Sequence, residues 1–215
     1  MLLNQWTYSM SLLIKTKNSF SLKVIKKPFS FLALLVVLFF WSCAGNIYDQ
    51  MARDNPNKLI SLEDSLLQSN PSPATISSVT LAHKVLGQRA IDIENYEKAM
   101  NHFSNVLKHL PKDTLSIYKT LLLQGHILNN TGKKDKLWDA IEVYNKAAIV
   151  FEDLGEPYYY IGRSYHKIDD KDFDLIIESF DRAIELELSE ELRRVVNKAR
   201  EDVIIREKKL KDFWK

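Results

Sequence analysis

Apolar positions in the second half of the chain return in a fixed pattern. Ala99, Phe103 and Val106, then Ala140, Tyr144 and Ala147, then Ile176, Phe180 and Ala183 each set a small or aliphatic residue, an aromatic or large apolar one four positions on, and a small or aliphatic one three further. Steps of four and three fall on one face of an α-helix. A glycine precedes each trio: Gly87, Gly125 and Gly162 lie 38 and 37 residues apart, in stretches that otherwise read as helix, in a chain with only six glycines among 215 residues. Glycine costs about 1 kcal/mol relative to alanine inside a helix, so its periodic return predicts a neighbour too close for a side chain. The predicted unit is a pair of antiparallel helices of roughly 34 to 40 residues, repeated three times.

Boundary signals agree. Ser72-Pro73 offers an N-cap followed by proline at the first helical position, predicting a helix from Pro73 to about Ile93. Asp113-Thr114, following Pro111, opens a third helix, Pro157 a fifth, and Ser189 ahead of Glu190 and Glu191 a last one. That last helix carries Leu192, Val195, Val196, Ala199 and Val203 on one stripe, the pattern of a helix that closes the end of a stack.

Leu86-Gly87, Ala90, Tyr96, Ala99, Phe103 and Pro111 stand in the order and spacing of the tetratricopeptide repeat (TPR) pattern, which the first unit resembles. The second unit (Gly125, Gly132, Leu137, Ala140, Tyr144, Ala147) and the third (Tyr158, Gly162, Tyr165, Phe173, Phe180, Ala183) follow the same order. From glycine to the Ala99 equivalent is 12, 15 and 14 residues, and the additional ones are expected in the turns near Lys133-Lys134-Asp135 and Asp169-Asp170-Lys171. The resemblance implies an all-α fold: an α-solenoid of three TPR-like hairpins, at about 73–111, 114–154 and 156–188, with a C-terminal capping helix over 189–215.

Residues 1–42 hold five lysines and no acid, and end in the apolar run from Phe29 to Trp41. A basic region before an apolar core of about 13 residues reads as an export signal, short of the ~20 that span a bilayer. Its basic part is long for such a signal, and no methionine between Met10 and Met51 offers a later start. The one cysteine, Cys43, follows directly, and its setting resembles a bacterial lipobox, where the cysteine becomes the lipid-modified first residue of the mature chain. Ser42 fits that pattern and Trp41 does not. Cleavage after Ser42-Cys43-Ala44, or retention as a signal anchor, are the alternatives. Residues 43–72, rich in Asn, Ser, Pro, Asp and Gln, read as a tether with one short helix near 58–68.

The chain as a whole has 30 basic and 28 acidic residues, a net +2; from residue 43 onward 25 face 28, a net −3. That balance gives no electrostatic case for nucleic acid. No two of the five histidines (His83, His102, His109, His126, His166) have the spacing that pairs metal ligands on a helix, and no glycine-rich phosphate loop occurs. The expectation is therefore a non-enzyme without metal, cofactor or small-molecule substrate. The TPR resemblance implies instead a groove lined by the first helix of each pair, with Lys84, Gln88, His126, Asn129, Asn130, Tyr159, Arg163, His166 and Lys167 facing a protein partner, and Tyr159 as an exposed anchor. Of Tyr158-Tyr159-Tyr160, Tyr158 is expected at the repeat seam and the other two nearer solvent. The function implied is a scaffold lipoprotein of the cell envelope; the alternatives are a periplasmic or signal-anchored co-factor of a translocase or chaperone, and an enzyme acting on envelope polymers.

Overall fold

The computed structural model describes residues 47–69 and 71–214, all of whose regular elements are α-helical. The expected export signal and Cys43 lie outside the described residues. Three short helices come first: α1 (Ile47–Asp54), α2 (Pro56–Ser61) and α3 (Glu63–Ser69). Six longer ones form hairpins in sequence: α4 (Pro73–Asp92) with α5 (Tyr96–His109), α6 (Thr114–Asn130) with α7 (Lys134–Val150), and α8 (Glu156–Ile168) with α9 (Phe173–Glu185). The last, α10 (Glu190–Phe213), packs on α9, and from α4 onward the substantial helix contacts join consecutive helices.

Polar side chains set the starts of these helices. The hydroxyl or carboxylate oxygen of Ser72, Asp113 and Ser189 accepts from the backbone N–H three residues on, at 3.1, 3.0 and 3.2 Å, and the Asn95 amide oxygen does the same at 3.1 Å. Such caps satisfy amides that have no partner inside the helix. The turn after α4 bends through Glu94, at a φ of 57°, so that Asn95 N–H reaches the Ala90 carbonyl at 2.9 Å. A side chain in that left-handed region is strained where glycine would not be.

The periodic glycines mark the closest approaches within each hairpin. A Cβ on Gly87 would stand 2.7 Å from the Phe103 ring, one on Gly125 2.3 Å from the Tyr144 ring, and one on Gly162 2.6 Å from the Phe180 ring. In each case the aromatic belongs to the partner helix of the same pair. Ala99, Ala140, Ile176, Ala147 and Ala183 are fully buried beside these rings, and Tyr96 is half-buried against Ala99 and Phe103. A fourth glycine, which carries no repeat signal, is held as tightly. Gly155, ahead of α8, would bring a Cβ 2.2 Å from the Ala183 carbonyl oxygen, while its N–H donates to Glu187 O at 2.9 Å and Glu187 N–H to Asp153 O at 2.8 Å. Two turns on either side of the third hairpin are thus joined by a short parallel bridge between Leu154 and Glu187.

Three features differ from the sequence reading. Residues 47–69 are folded, not a tether: Ala52 and Leu59 are fully buried against Ala82 of α4, with Tyr48, Met51, Ile60 and Leu66 around them. Tyr48, Met51 and Ala52 recur at helical spacing among polar residues and carry this packing, while Ile47 stays exposed. The additional residues of the second unit do not lengthen its turn, which runs from Thr131 to Lys133; they lengthen the start of α7 by nearly a turn. On α10, Val196 and Val203 are buried and Leu192 and Ala199 partly so, but Val195 remains 45% exposed.

Substituting Gly125 with alanine is expected to lower stability by roughly 1 to 3 kcal/mol, because the Tyr144 ring must move in a filled core. Gly155→Ala should cost at least as much, since the obstacle is backbone. Glu94→Gly, by contrast, should raise stability by about 0.5 to 1 kcal/mol by relieving the left-handed turn. Urea melts of the three variants check all three signs.

Candidate binding face and its buried polar seam

The residues expected on one groove divide into three groups. Tyr159 does not face solvent. It is 5% exposed and packs with Ile176, Phe180, Ala183, Val196 and Val203 between α9 and α10. The reason lies in Gly162: a residue three positions before it on the helix shares its face, and that face meets Phe180. Tyr158 and Tyr160 are both partly buried against the core of the preceding hairpin, as expected for Tyr158, and Tyr160 is the one whose ring meets those of that hairpin. Its ring centroid lies 4.3 Å from that of His126 and 5.5 Å from that of Tyr144, stacked on the latter. Tyr158 is half-buried, with the Arg182 guanidinium 5.7 Å from its ring centroid.

His126 and Asn129 are turned into this seam rather than toward a ligand. His126 Nδ1 and the Tyr144 hydroxyl are 2.8 Å apart, and the imidazole also meets Tyr96, centroids 5.0 Å apart. Burial, with Lys119 adding repulsion, pushes the His126 pKa down to about 4, so the ring is neutral at ordinary pH. Burial also raises the Tyr144 and Tyr160 hydroxyls well above their usual range. Asn129, 8% exposed, donates from Nδ2 to Ser164 Oγ at 2.5 Å, and its carbonyl accepts from Lys167 Nζ at 3.2 Å. At the other end of the same two helices, the Tyr118 hydroxyl donates to Glu156 Oε2 at 3.0 Å. The polar groups of α6 and α8 therefore fasten one hairpin to the next.

Others are tied to nearby partners. Lys84 pairs with Asp113 at 2.7 Å, joining α4 to the start of α6, and Gln88 donates to Asp92 within its own helix at 2.9 Å. His166 lies 2.7 Å from Arg206 Nη1 of α10. What faces solvent is a smaller set: Gln88, Asn130, Arg163 and Lys167. Arg163 sits over the Tyr159 ring, 5.8 Å from its centroid, and donates to the Tyr159 hydroxyl at 3.3 Å, which fixes the guanidinium while leaving it exposed. Burial and the neighbouring Arg163 hold Lys167 below its ordinary pKa. Asn130 borders a separate shallow cavity of about 390 Å³ with Tyr96, Ile127 and the turn residues Ile93 to Asn95.

A second polar cluster escaped the sequence reading. Glu63 of α3 bridges two histidines, His83 Nε2 at 3.1 Å and His109 Nε2 at 2.9 Å, and His83 Nδ1 stands 3.1 Å from His102 Nδ1. One assignment satisfies all four groups when neutral imidazoles surround the carboxylate: His83 and His109 donate to Glu63, and His102 donates to His83. Burial alone would raise the Glu63 carboxyl, but the hydrogen bonds from His109 and His83 outweigh it and hold it below its ordinary value. Burial lowers His83, against the pull of Glu63, and lowers His102 as well. In sequence, His102 and His109 share a helical face, but nothing there reveals that α3 folds back to meet it. Among the described residues no group of three or more His, Cys, Asp or Glu is arranged to hold a metal ion, and no helix is long and apolar enough to cross a membrane.

No protein-family model matches the chain, and no curated protein is significantly similar to it.

The neutral His126 makes stability depend on pH. Its folded pKa lies below the unfolded value, so the unfolded chain binds more protons between about pH 6.5 and pH 4, and stability falls as pH drops through that window. The depression from 6.5 to about 4 corresponds to roughly 3 kcal/mol. His83 and Glu63 act in the same direction. In urea titrations at neutral and mildly acid pH, His126→Phe should lose distinctly less stability on acidification than the wild-type chain. An equal loss in both would assign the dependence to other groups.

Proposed function

We propose that the chain is a TPR-like α-solenoid acting as a non-catalytic scaffold at a bacterial cell envelope, anchored by lipidated Cys43 and binding a protein partner. The observation that carries the architectural half is the threefold recurrence of a glycine in one helix against a large aromatic in the next, with consecutive hairpins stacked in order. In such an array the first helix of each pair lines a shared surface, and no repeat buries its apolar face without its neighbour. Residues 190–213 act as the closing helix.

The binding half of the proposal rests on the exposed set Gln88, Asn130, Arg163 and Lys167. Arg163, held over a tyrosine ring and by its hydroxyl, is already restrained, so it loses less freedom on meeting a carboxylate or a backbone carbonyl. Tyr159 supports it from beneath and is not itself the contact. The anchoring half rests on the position of Cys43 at the end of the apolar run. Against it stands the reading of an unmodified or signal-anchored envelope co-factor.

Two measurements separate these. Mass spectrometry of the mature chain should find an acylated Cys43 at its amino terminus, and Cys43→Ser should leave precursor or release the protein from membranes; an unmodified Ala44 or Gly45 terminus removes the anchor. For the binding face, a photo-crosslinking residue at Asn130 or Arg163 should yield protein adducts in cells that the same residue at Glu142, on the exposed side of α7, does not. If an identified partner binds Arg163→Ala within two-fold of wild type rather than about 5- to 30-fold more weakly, as loss of a hot-spot arginine implies, the working surface lies elsewhere.

A further inference from the structure

The end of α10 is unlike the rest of the surface. Val203 is the last buried residue on this helix, and the following ten residues extend it to Phe213, by about 15 Å. At its tip Phe213 and Trp214 are 78% and 77% exposed, packed edge to face on one another with centroids 5.3 Å apart. They are the two most exposed large apolar side chains of the described residues. From Arg206 to Lys215 five cations stand against two acids, whereas residues 43–205 carry a net −6. The tip is thus a basic segment on an otherwise acidic body.

Beside it lies a shallow cavity of about 300 Å³. It is lined by the apolar Phe173, Leu210 and Phe213 and by the cations Lys171, Arg206 and Lys209, with Asp170 the one acid. The Arg206 guanidinium lies 5.4 Å from the Phe173 ring centroid and pairs with Asp170 at 3.5 Å, yet its Nε is buried without a hydrogen-bond partner. Lys211 is engaged by Glu207. Aromatic rings beside lysines whose alkyl stems cover apolar surface suit the boundary between lipid headgroups and acyl chains, where one end of the side chain is dry and the other wet.

We propose that this tip docks on an anionic phospholipid surface. Phe213 and Trp214 enter the headgroup boundary, and Lys171, Lys208 and Lys209 meet lipid phosphates. The net positive charge of the segment, opposite to that of the rest of the folded chain, selects an anionic surface over a zwitterionic one, each lysine near the surface contributing about a five-fold increase in binding. This contact is independent of whether Cys43 carries lipid. It would place the carboxyl-terminal end of the stack against a membrane and orient the face bearing Arg163.

The test uses the full chain, reconstituted in vesicles of phosphatidylcholine alone or mixed with phosphatidylglycerol. The amino-terminal apolar run is expected to hold the protein on both, so the readout must be local to residue 214. With Trp6→Phe, Trp41→Phe and Trp138→Phe, Trp214 is the only indole. Its emission should shift to the blue and be quenched by brominated lipid in the anionic vesicles, and much less in the zwitterionic ones. Lys208→Glu with Lys209→Glu should abolish the difference while leaving the circular dichroism melt unchanged. Equal emission in both vesicles, or quenching that survives the charge reversals, overturns the proposal, as does protection of the indole only when a soluble protein is added. If the triple substitution fails to fold, hydrogen exchange at residues 206–214 of the wild-type chain gives the same reading: slowing confined to anionic vesicles supports it and no slowing refutes it.

Discussion

Everything in this chain depends on how closely two helices can approach when one of them lacks a side chain. Gly87, Gly125 and Gly162 each let a phenylalanine or tyrosine ring lie against helix backbone, at distances no Cβ would allow. The consequence is geometric before it is energetic. A large flat ring held against a glycine fixes both the separation and the rotation of the pair, and this decides which residues of the first helix turn toward its partner and which toward the next hairpin. Helix propensity opposes glycine at these positions by about 1 kcal/mol each, so packing must outweigh it three times.

That constraint explains which parts of the molecule could be read from the amino-acid sequence. The hairpins were legible because glycine, aromatic and alanine recur with helical spacing, and the N-caps Ser72, Asp113 and Ser189 announce their helices. Tyr158 packs at the seam as its position predicts, whereas the burial of Tyr159 follows from Gly162, which fixes the face three positions before it. Residues 47–69 were obscured for a different reason. Their helices are short, their composition is polar, and their apolar side chains are buried only because α4 presents Ala82 beneath them. Short helices owe their stability to such tertiary contacts rather than to propensity.

The polar residues of the inner helices illustrate a second limit. His126, Asn129 and Lys84 have the chemistry of ligand-binding side chains and stand at positions that would line a groove, yet the folded chain uses them internally. Asn129 and Tyr118 link α6 to α8, and Lys84 links α4 to Asp113. A stack of similar units needs some means of fixing the angle between neighbours, because apolar faces alone tolerate sliding. Hydrogen bonds with buried ends are directional and costly to break, so they supply that register. Spacing along a helix cannot distinguish an amide that binds a partner from one that binds the next repeat; only the arrangement of the adjacent hairpin does.

The Glu63 cluster carries the same logic to the amino-terminal end. The first hairpin is covered by α1 to α3, with Ala52 and Leu59 supplying the apolar contact and Glu63 a directional one to His83 and His109. At the other end α10 covers the third hairpin with Val196 and Val203 and then continues past it. The two ends are therefore closed by different means. The amino-terminal cover is short, polar and fastened by an acid between imidazoles, whose hold weakens as the pH falls below the histidine range. The carboxyl-terminal cover is one long helix held mainly by apolar contacts, with His166 beside Arg206 as a titratable contact. Acidification should loosen the amino-terminal cover and the His126 seam, and should also weaken the contact of α8 with α10 at His166, whose protonation burial and Arg206 oppose, while the apolar packing of Tyr159, Phe180, Val196 and Val203 is left in place.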